Sequence, residues 1–67
     1  MTARGLGRML KSLREKKGLT MQELADKAGV SDAYIAMLET GKRKNPSLAA
    51  LRRIAKALGV SIEQLLK

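Results

Sequence analysis

The stretch Thr20–Gly41 constrains this chain more than any other. Leu24, Ala25 and Ala28 fall at i, i+1 and i+4, and Ile35 and Leu38 fall three apart, so each half presents one apolar face at helical spacing. Thr20 followed three residues later by Glu23 is a capping-box start. Gly29 tolerates a positive φ and lets the chain leave the first helix sharply. Val30 then supplies an apolar plug, and Ser31 caps the second helix. Ala25 stands where that second helix must cross closely, and a larger side chain there would push the two apart. The pattern predicts two short helices joined by a tight turn. Many small bundles contain such a pair, so the flanking sequence has to decide its use.

The flanks are limited by size. A chain of 67 residues makes one small domain, 1–67. A domain of that size buries only roughly 60% of its unfolded surface. Its core must therefore be compact and aliphatic, in keeping with a composition rich in Leu and Ala whose single aromatic residue is Tyr34. The absence of cysteine excludes disulfides and gives no argument for secretion. No apolar run approaches the ~20 residues of a membrane span, and the first residues lack the long apolar stretch of a signal peptide. A cytoplasmic protein with no membrane association is expected.

Charge carries more information. The formal net charge is +8, with 14 Lys and Arg against 6 Asp and Glu, which favours a polyanionic partner, nucleic acid before an anionic membrane. Met1–Lys17 carries Arg4, Arg8, Lys11, Arg14, Lys16 and Lys17 against Glu15 alone. Lys42–Lys56 carries Lys42, Arg43, Lys44, Arg52, Arg53 and Lys56 against no acid. Between them, Thr20–Gly41 carries Lys27 against Glu23, Asp26, Asp32 and Glu39. Two cationic shoulders thus flank a helix pair that is not itself basic. Phosphate-gripping surfaces have this distribution, because a groove-reading helix need not be basic. A solvated surface of scattered lysines is the alternative.

In chain order, Met1–Gly5 reads as a short arm, and a first helix spans about Leu6–Lys17 with Leu6, Met9, Leu10 and Leu13 as its apolar stripe. Gly18 ends it, and Leu19 packs beside the Thr20 cap. Gly41 closes the third helix. Asn45 as cap with Pro46 at the first position opens the fourth, about Pro46–Leu58, with Ser47 as the rival cap. That helix buries Leu48, Leu51, Ile54, Ala55 and Leu58 and turns Arg52, Arg53 and Lys56 outward. Gly59 and Val60 form a second plugged turn, Ser61 pairs with Gln64 as a cap, and Ile62, Leu65 and Leu66 give a last short helix its apolar side. No linker, repeat or low-complexity tract interrupts the chain.

Leu13-Arg14-Glu15-Lys16-Lys17-Gly18-Leu19-Thr20, Glu23-Leu24-Ala25, Ala28-Gly29-Val30-Ser31, Tyr34-Ile35, Leu38-Glu39, Gly41-Lys42-Arg43, Asn45-Pro46-Ser47-Leu48 and Ile54–Ser61 together resemble the lambda-repressor-like (XRE-type, Cro-like) helix-turn-helix domains. The resemblance covers nearly the whole chain. It implies an all-α, compact five-helix domain with the helix-turn-helix at about 20–40. It also implies sequence-specific binding of double-stranded DNA, usually as a dimer on an inverted repeat, with helix 31–40 in the major groove. An ion pair between Arg14 and Glu39 is implied too, because many relatives join an Arg on the first helix to a Glu at the end of the reading helix.

Where relatives often carry a phosphate-gripping Gln, this chain has Met21, and where that Gln braces another polar residue it has Asp32. Met21 cannot donate a hydrogen bond to a phosphate, although backbone N–H groups at that helix start still can. Asp32 either accepts from a cytosine amine or acts as a favourable charge at its helix N-terminus. Ala33, Ala36 and Met37 offer apolar contact to thymine methyls and little hydrogen-bond readout. Affinity is then expected to rest on Arg4, Arg8, Thr40, Lys42, Arg43 and Lys44 at the backbone and on DNA shape, with Gln22, Ser31 and Asn45 completing the DNA-facing set. Tyr34 either donates to a phosphate through its hydroxyl or simply packs.

The expected function is a DNA-binding transcriptional regulator, a repressor. The alternative is a protein-interaction module of the same fold, an antitoxin or co-regulator, whose apolar helix face docks a partner. A third class, an enzyme, lacks support: with no His and no Cys and no paired carboxylates on a recognisable site, nothing positions an acid, base, nucleophile or metal. No cofactor and no small-molecule ligand are expected. Leu65 and Leu66, with Val60 or Ile62, either exceed what one small core can bury and form a homodimer contact through the C-terminal helix, or pack back on the first and fourth helices.

Overall fold

The computed structural model describes residues 3–43 and 45–66, with side chains from Gly5 onward. Five helices succeed one another: α1 (Ala3–Lys16), α2 (Met21–Ala28), α3 (Asp32–Thr40), α4 (Leu48–Leu58) and α5 (Ile62–Leu66). No strand occurs among the described residues. α1 lies against α3 and α5, α2 against α3 and α4, and α4 against α5.

Three of the four junctions use one device. At Gly18, Gly29 and Gly59 the backbone turns left-handed, with φ near 70°, a conformation that costs an L side chain and not glycine. The residue after each glycine reaches back five positions to a helix carbonyl. Leu19 N–H donates to the Arg14 carbonyl at 3.1 Å, and Val30 and Val60 donate to those of Ala25 and Ala55 at 3.0 Å. These bonds satisfy carbonyls that a helix end leaves orphaned. The same apolar residue packs its side chain against the core. A hydroxyl residue then starts the next helix. Thr20 Oγ1 accepts from Glu23 N–H at 3.0 Å while Glu23 Oε1 accepts from Thr20 N–H at 2.9 Å. Ser61 and Gln64 make the same reciprocal pair at 3.1 Å, and Ser31 Oγ accepts from Tyr34 N–H at 3.0 Å. Stop, plug and start thus occupy three residues, which keeps consecutive helices in contact.

The core is aliphatic. Leu10, Leu24, Ile35, Leu38, Ile54, Leu58 and Leu65 are fully buried, with Leu6, Leu51 and the small residues Ala25, Ala28 and Ala55 between them. Met9 and Leu13 are half-buried at the edge of α1's stripe. α1 begins at Ala3, earlier than the expected Leu6, and its last residue is Lys16, not Lys17, so Ala3–Gly5 is helix and not a loose arm.

Two expectations for α4 fail together. Asn45 is not the cap and Pro46 is not helical. Ser47 caps, its Oγ accepting from Ala50 N–H at 3.1 Å, and the helix opens at Leu48. The buried stripe is Ala50, Leu51, Ile54, Ala55 and Leu58. At 100° per residue Leu48 lies about 90° from the centre of that stripe. It also stands at the first helical position with no turn before it, and is 56% exposed rather than buried. On α5, Leu65 is fully buried, Ile62 is half-buried, and Leu66 remains 42% exposed.

Candidate nucleic-acid interface

α3 is held from behind at its C-terminal end. Arg14 on α1 donates through Nε to Glu39 Oε2 at 2.7 Å and through Nη2 to Glu39 Oε1 at 3.1 Å, while Nη1 donates to the Leu19 carbonyl at 2.7 Å. The side chains are 9% and 2% exposed, so the expected pair is a buried, two-pronged bridge. The Glu39 carboxylate raises the Arg14 guanidinium above its ordinary pKa, against the opposing effect of burial. One guanidinium therefore ties α1, the α1–α2 turn and α3 together, with every buried polar side-chain atom among the described residues partnered.

A second contact makes that crossing close. Gly7 is buried in α1, and a Cβ built there would lie 2.5 Å from the Leu38 carbonyl oxygen and 2.6 Å from that of Glu39. No side chain fits between the two backbones. This explains a glycine inside a helix, where it would otherwise cost about 1 kcal/mol relative to Ala.

The opposite edge of α3 faces outward. Asp32 and Ala33 are exposed, and Tyr34, Ala36 and Met37 are half-buried. Asp32 Oδ1 accepts from Ala33 N–H at 2.9 Å, so its carboxylate is engaged at its own helix start, where a negative charge is favourable. Thr40 Oγ1 donates to the Ala36 carbonyl at 2.9 Å, which commits its proton within the helix. Ala33, Ala36 and Met37 add no hydrogen-bonding side chain, so this edge offers little beyond the remaining acceptor capacity of the Asp32 carboxylate.

The α3–α4 junction departs from the three-residue device. Gly41 turns left-handed at φ 81°, Arg43 N–H donates to the Met37 carbonyl at 3.1 Å, and Ser47, with an extended backbone, caps the next helix. Lys42, Arg43 and Asn45 are exposed on this loop, and the Arg43 guanidinium stands 5.0 Å from the centroid of the Tyr34 ring. The longest connection in the fold is thus the cationic one, beside the outward edge of α3.

At the start of α2, Gln22 is exposed, whereas Met21 is half-buried and packs against the core. Met21 spends its side chain on packing and leaves backbone N–H groups as the donors at that end. Arg8 is exposed and lines a shallow groove along α1 with Lys11, Ser12, Glu15 and Lys16. Lys44 and the Arg4 side chain, both expected at phosphates, lie outside the described residues.

Residues 10–65 match the helix-turn-helix family. The chain belongs to that family. Among its relatives, the HTH-type transcriptional regulator SinR of Bacillus subtilis is 38% identical over 61 residues, 91% of this chain and 55% of that protein. The chain therefore spans about half the length of that regulator. The structure of SinR in complex with DNA superposes with a TM-score of 0.89 at 37% identity, covering 92% of this chain and 98% of that one. The restriction-modification controller protein C.AhdI of Aeromonas hydrophila superposes with a TM-score of 0.90 at 33% identity, over 94% of both chains. The all-α, five-helix architecture is that of helix-turn-helix domains.

Sequence reasoning missed two features of this family member. The close crossing at Gly7 had a visible signal, a glycine between Leu6 and Arg8 inside an otherwise good helix. The Tyr34–Arg43 contact had none, since no periodic rule joins residues nine apart across a helix end and a left-handed turn.

Proposed function

We propose that this chain is a sequence-specific double-stranded DNA-binding domain of a transcriptional regulator, a repressor, acting by binding rather than by catalysis. α3 enters the major groove with Asp32, Ala33, Ala36 and Met37 toward the bases. Lys42, Arg43 and Asn45, with Arg8, Gln22 and the α2 N-terminus, hold the phosphates, and Arg4 and Lys44 join them. The observation that carries the reading is the outward edge of α3, anchored behind by the Arg14–Glu39 bridge and bordered by the cationic loop. The likeness to SinR in complex with DNA supports it. No helix among the described residues is long and apolar enough to cross a membrane, in keeping with a cytoplasmic site of action. The exposed Leu66 at the end of α5 supports a homodimer contact through that helix.

Fluorescence anisotropy with a labelled mixed-sequence duplex tests the reading. Roughly 4–6 neutralised phosphates per protomer give a log–log salt slope near −4 to −5. No binding at low salt would favour the protein-interaction module, for which Ala33, Ala36 and Met37 are equally suitable. Selection of bound duplexes from a random pool then supplies the preferred sequence.

A further inference from the structure

Arg43 is tied to α3 twice. Its backbone N–H bonds the Met37 carbonyl at 3.1 Å, and its guanidinium rests 5.0 Å from the centroid of the Tyr34 ring. The ring cannot easily leave, because Tyr34 is half-buried and packs against the core. The guanidinium is on the solvent side, on an exposed residue. A guanidinium that meets an aromatic ring spends its attraction on the ring's π face and keeps its N–H donors for hydrogen bonds. A free arginine on a loop, by contrast, loses most of its rotamer freedom when it grips a partner.

We propose that Tyr34 is a positioning residue for DNA binding. Its ring, rather than its hydroxyl, holds the Arg43 guanidinium beside α3 before the duplex arrives, so that the loop's cation is delivered in a preset place. The inference rests on the DNA-binding reading and deepens it. α3 itself presents few donors: Ala33, Ala36 and Met37 carry none, Asp32 only accepts, and the Thr40 hydroxyl donates to the Ala36 carbonyl. That leaves more of the polar contact to the loop, and a share held by one long side chain is sensitive to whether that side chain is pre-ordered.

The test is a double-mutant cycle on affinity for a labelled mixed-sequence duplex at fixed low salt. Tyr34→Leu is expected to weaken binding about 2- to 5-fold, the range of an exposed cation–π contact, while Tyr34→Phe leaves it unchanged. In an Arg43→Ala background Tyr34→Leu then has no further effect. Circular dichroism checks that each variant is folded. Tyr34→Met, whose flexible side chain fills the same gap, replaces Tyr34→Leu if that variant does not fold. Equal losses with and without Arg43 would overturn the inference, as would a loss from Tyr34→Phe matching that from Tyr34→Leu, which would assign the effect to the hydroxyl. Binding without coupling therefore refutes the positioning role alone. Failure of the unaltered chain to bind any duplex refutes the DNA reading and the positioning role with it.

Discussion

Replacing Glu39 by alanine tests the joint between α1 and α3. The substitution removes the acceptor for two of the three hydrogen bonds that Arg14 makes, at 2.7 and 3.1 Å, and leaves only the Leu19 carbonyl. Hydrogen bonds to charged groups contribute about 1.5–3 kcal/mol each. Stranding one member of a buried pair costs about 3–5 kcal/mol, because a desolvated charge is left uncompensated. A chain this long is stabilised by only about 3–10 kcal/mol in total, at about 0.05–0.15 kcal/mol per residue. Glu39→Ala is therefore expected to leave the domain marginal or unfolded at 25 °C. Urea denaturation followed by far-ultraviolet circular dichroism measures it, with trimethylamine N-oxide added to restore a folded baseline where needed. The double substitution Arg14→Met with Glu39→Leu removes both charges and is expected to recover part of the loss, since an apolar pair of similar bulk replaces a buried ion pair at little cost while the Leu19 carbonyl loses its donor. A loss below ~0.5 kcal/mol for Glu39→Ala, the size found for exposed pairs, would refute the claim that this bridge is buried and essential.

Gly7→Ala is expected to destabilise by about 1–3 kcal/mol in the same denaturation experiment, despite alanine's better helix propensity, because the new methyl meets two carbonyl oxygens; a stabilised variant would mean that α1 shifts freely. The Thr20 backbone N–H holds the Glu23 carboxyl below its usual range, so its contribution to stability is full above the unfolded-state pKa and disappears as the pH falls through the folded one. Glu23→Gln, which keeps an acceptor and cannot titrate, should flatten that acid limb in melting temperatures taken across pH, and an unchanged limb would assign the acid sensitivity elsewhere. Arg43→Ala should weaken binding to many duplexes alike, whereas Met37→Ala should change the ranking among selected duplexes; both are read by anisotropy, and an untouched affinity in Arg43→Ala would remove the loop from the interface.

The fold was legible wherever a local rule operates. Gly-Leu-Thr, Gly-Val-Ser and a second Gly-Val-Ser each combine a left-handed stop, an apolar plug and an oxygen cap within three residues, and each sits where the chain changes helix. Features that lay beyond local rules were less legible. Ser47 prevailed over Asn45 because the cap is decided by which oxygen meets an orphan N–H two or three residues on, and both residues are credible caps on composition. Leu48 was misplaced because helical periodicity holds within a helix and says nothing of whether its first residue has a neighbour to cover it. The Arg14–Glu39 bridge came from family resemblance and not from spacing, since 25 residues separate the partners. At the candidate interface, residue types indicated which side chains reach outward. The bonds they had already spent, Asp32 at Ala33 and Thr40 at Ala36, required coordinates.

These spent bonds connect the stability of the fold to the way it would read DNA. A reading helix with many hydrogen-bonding side chains can adjust one contact at a time, and a small rotation costs it little. Here the outward edge of α3 is largely Ala33, Ala36 and Met37, and apolar contact to a thymine methyl depends steeply on distance because it has no long-range component. Such an edge discriminates only if the helix behind it holds its position. The means for that lie on the inner side: the Arg14–Glu39 bridge holds Glu39, and the backbone-to-backbone approach at Gly7 holds Leu38 and Glu39, directly after Met37. The physical expectation is that variants loosening this joint without unfolding the domain lose discrimination among duplexes before they lose affinity, since the cationic loop depends less on the depth of α3 than the methyl contacts do.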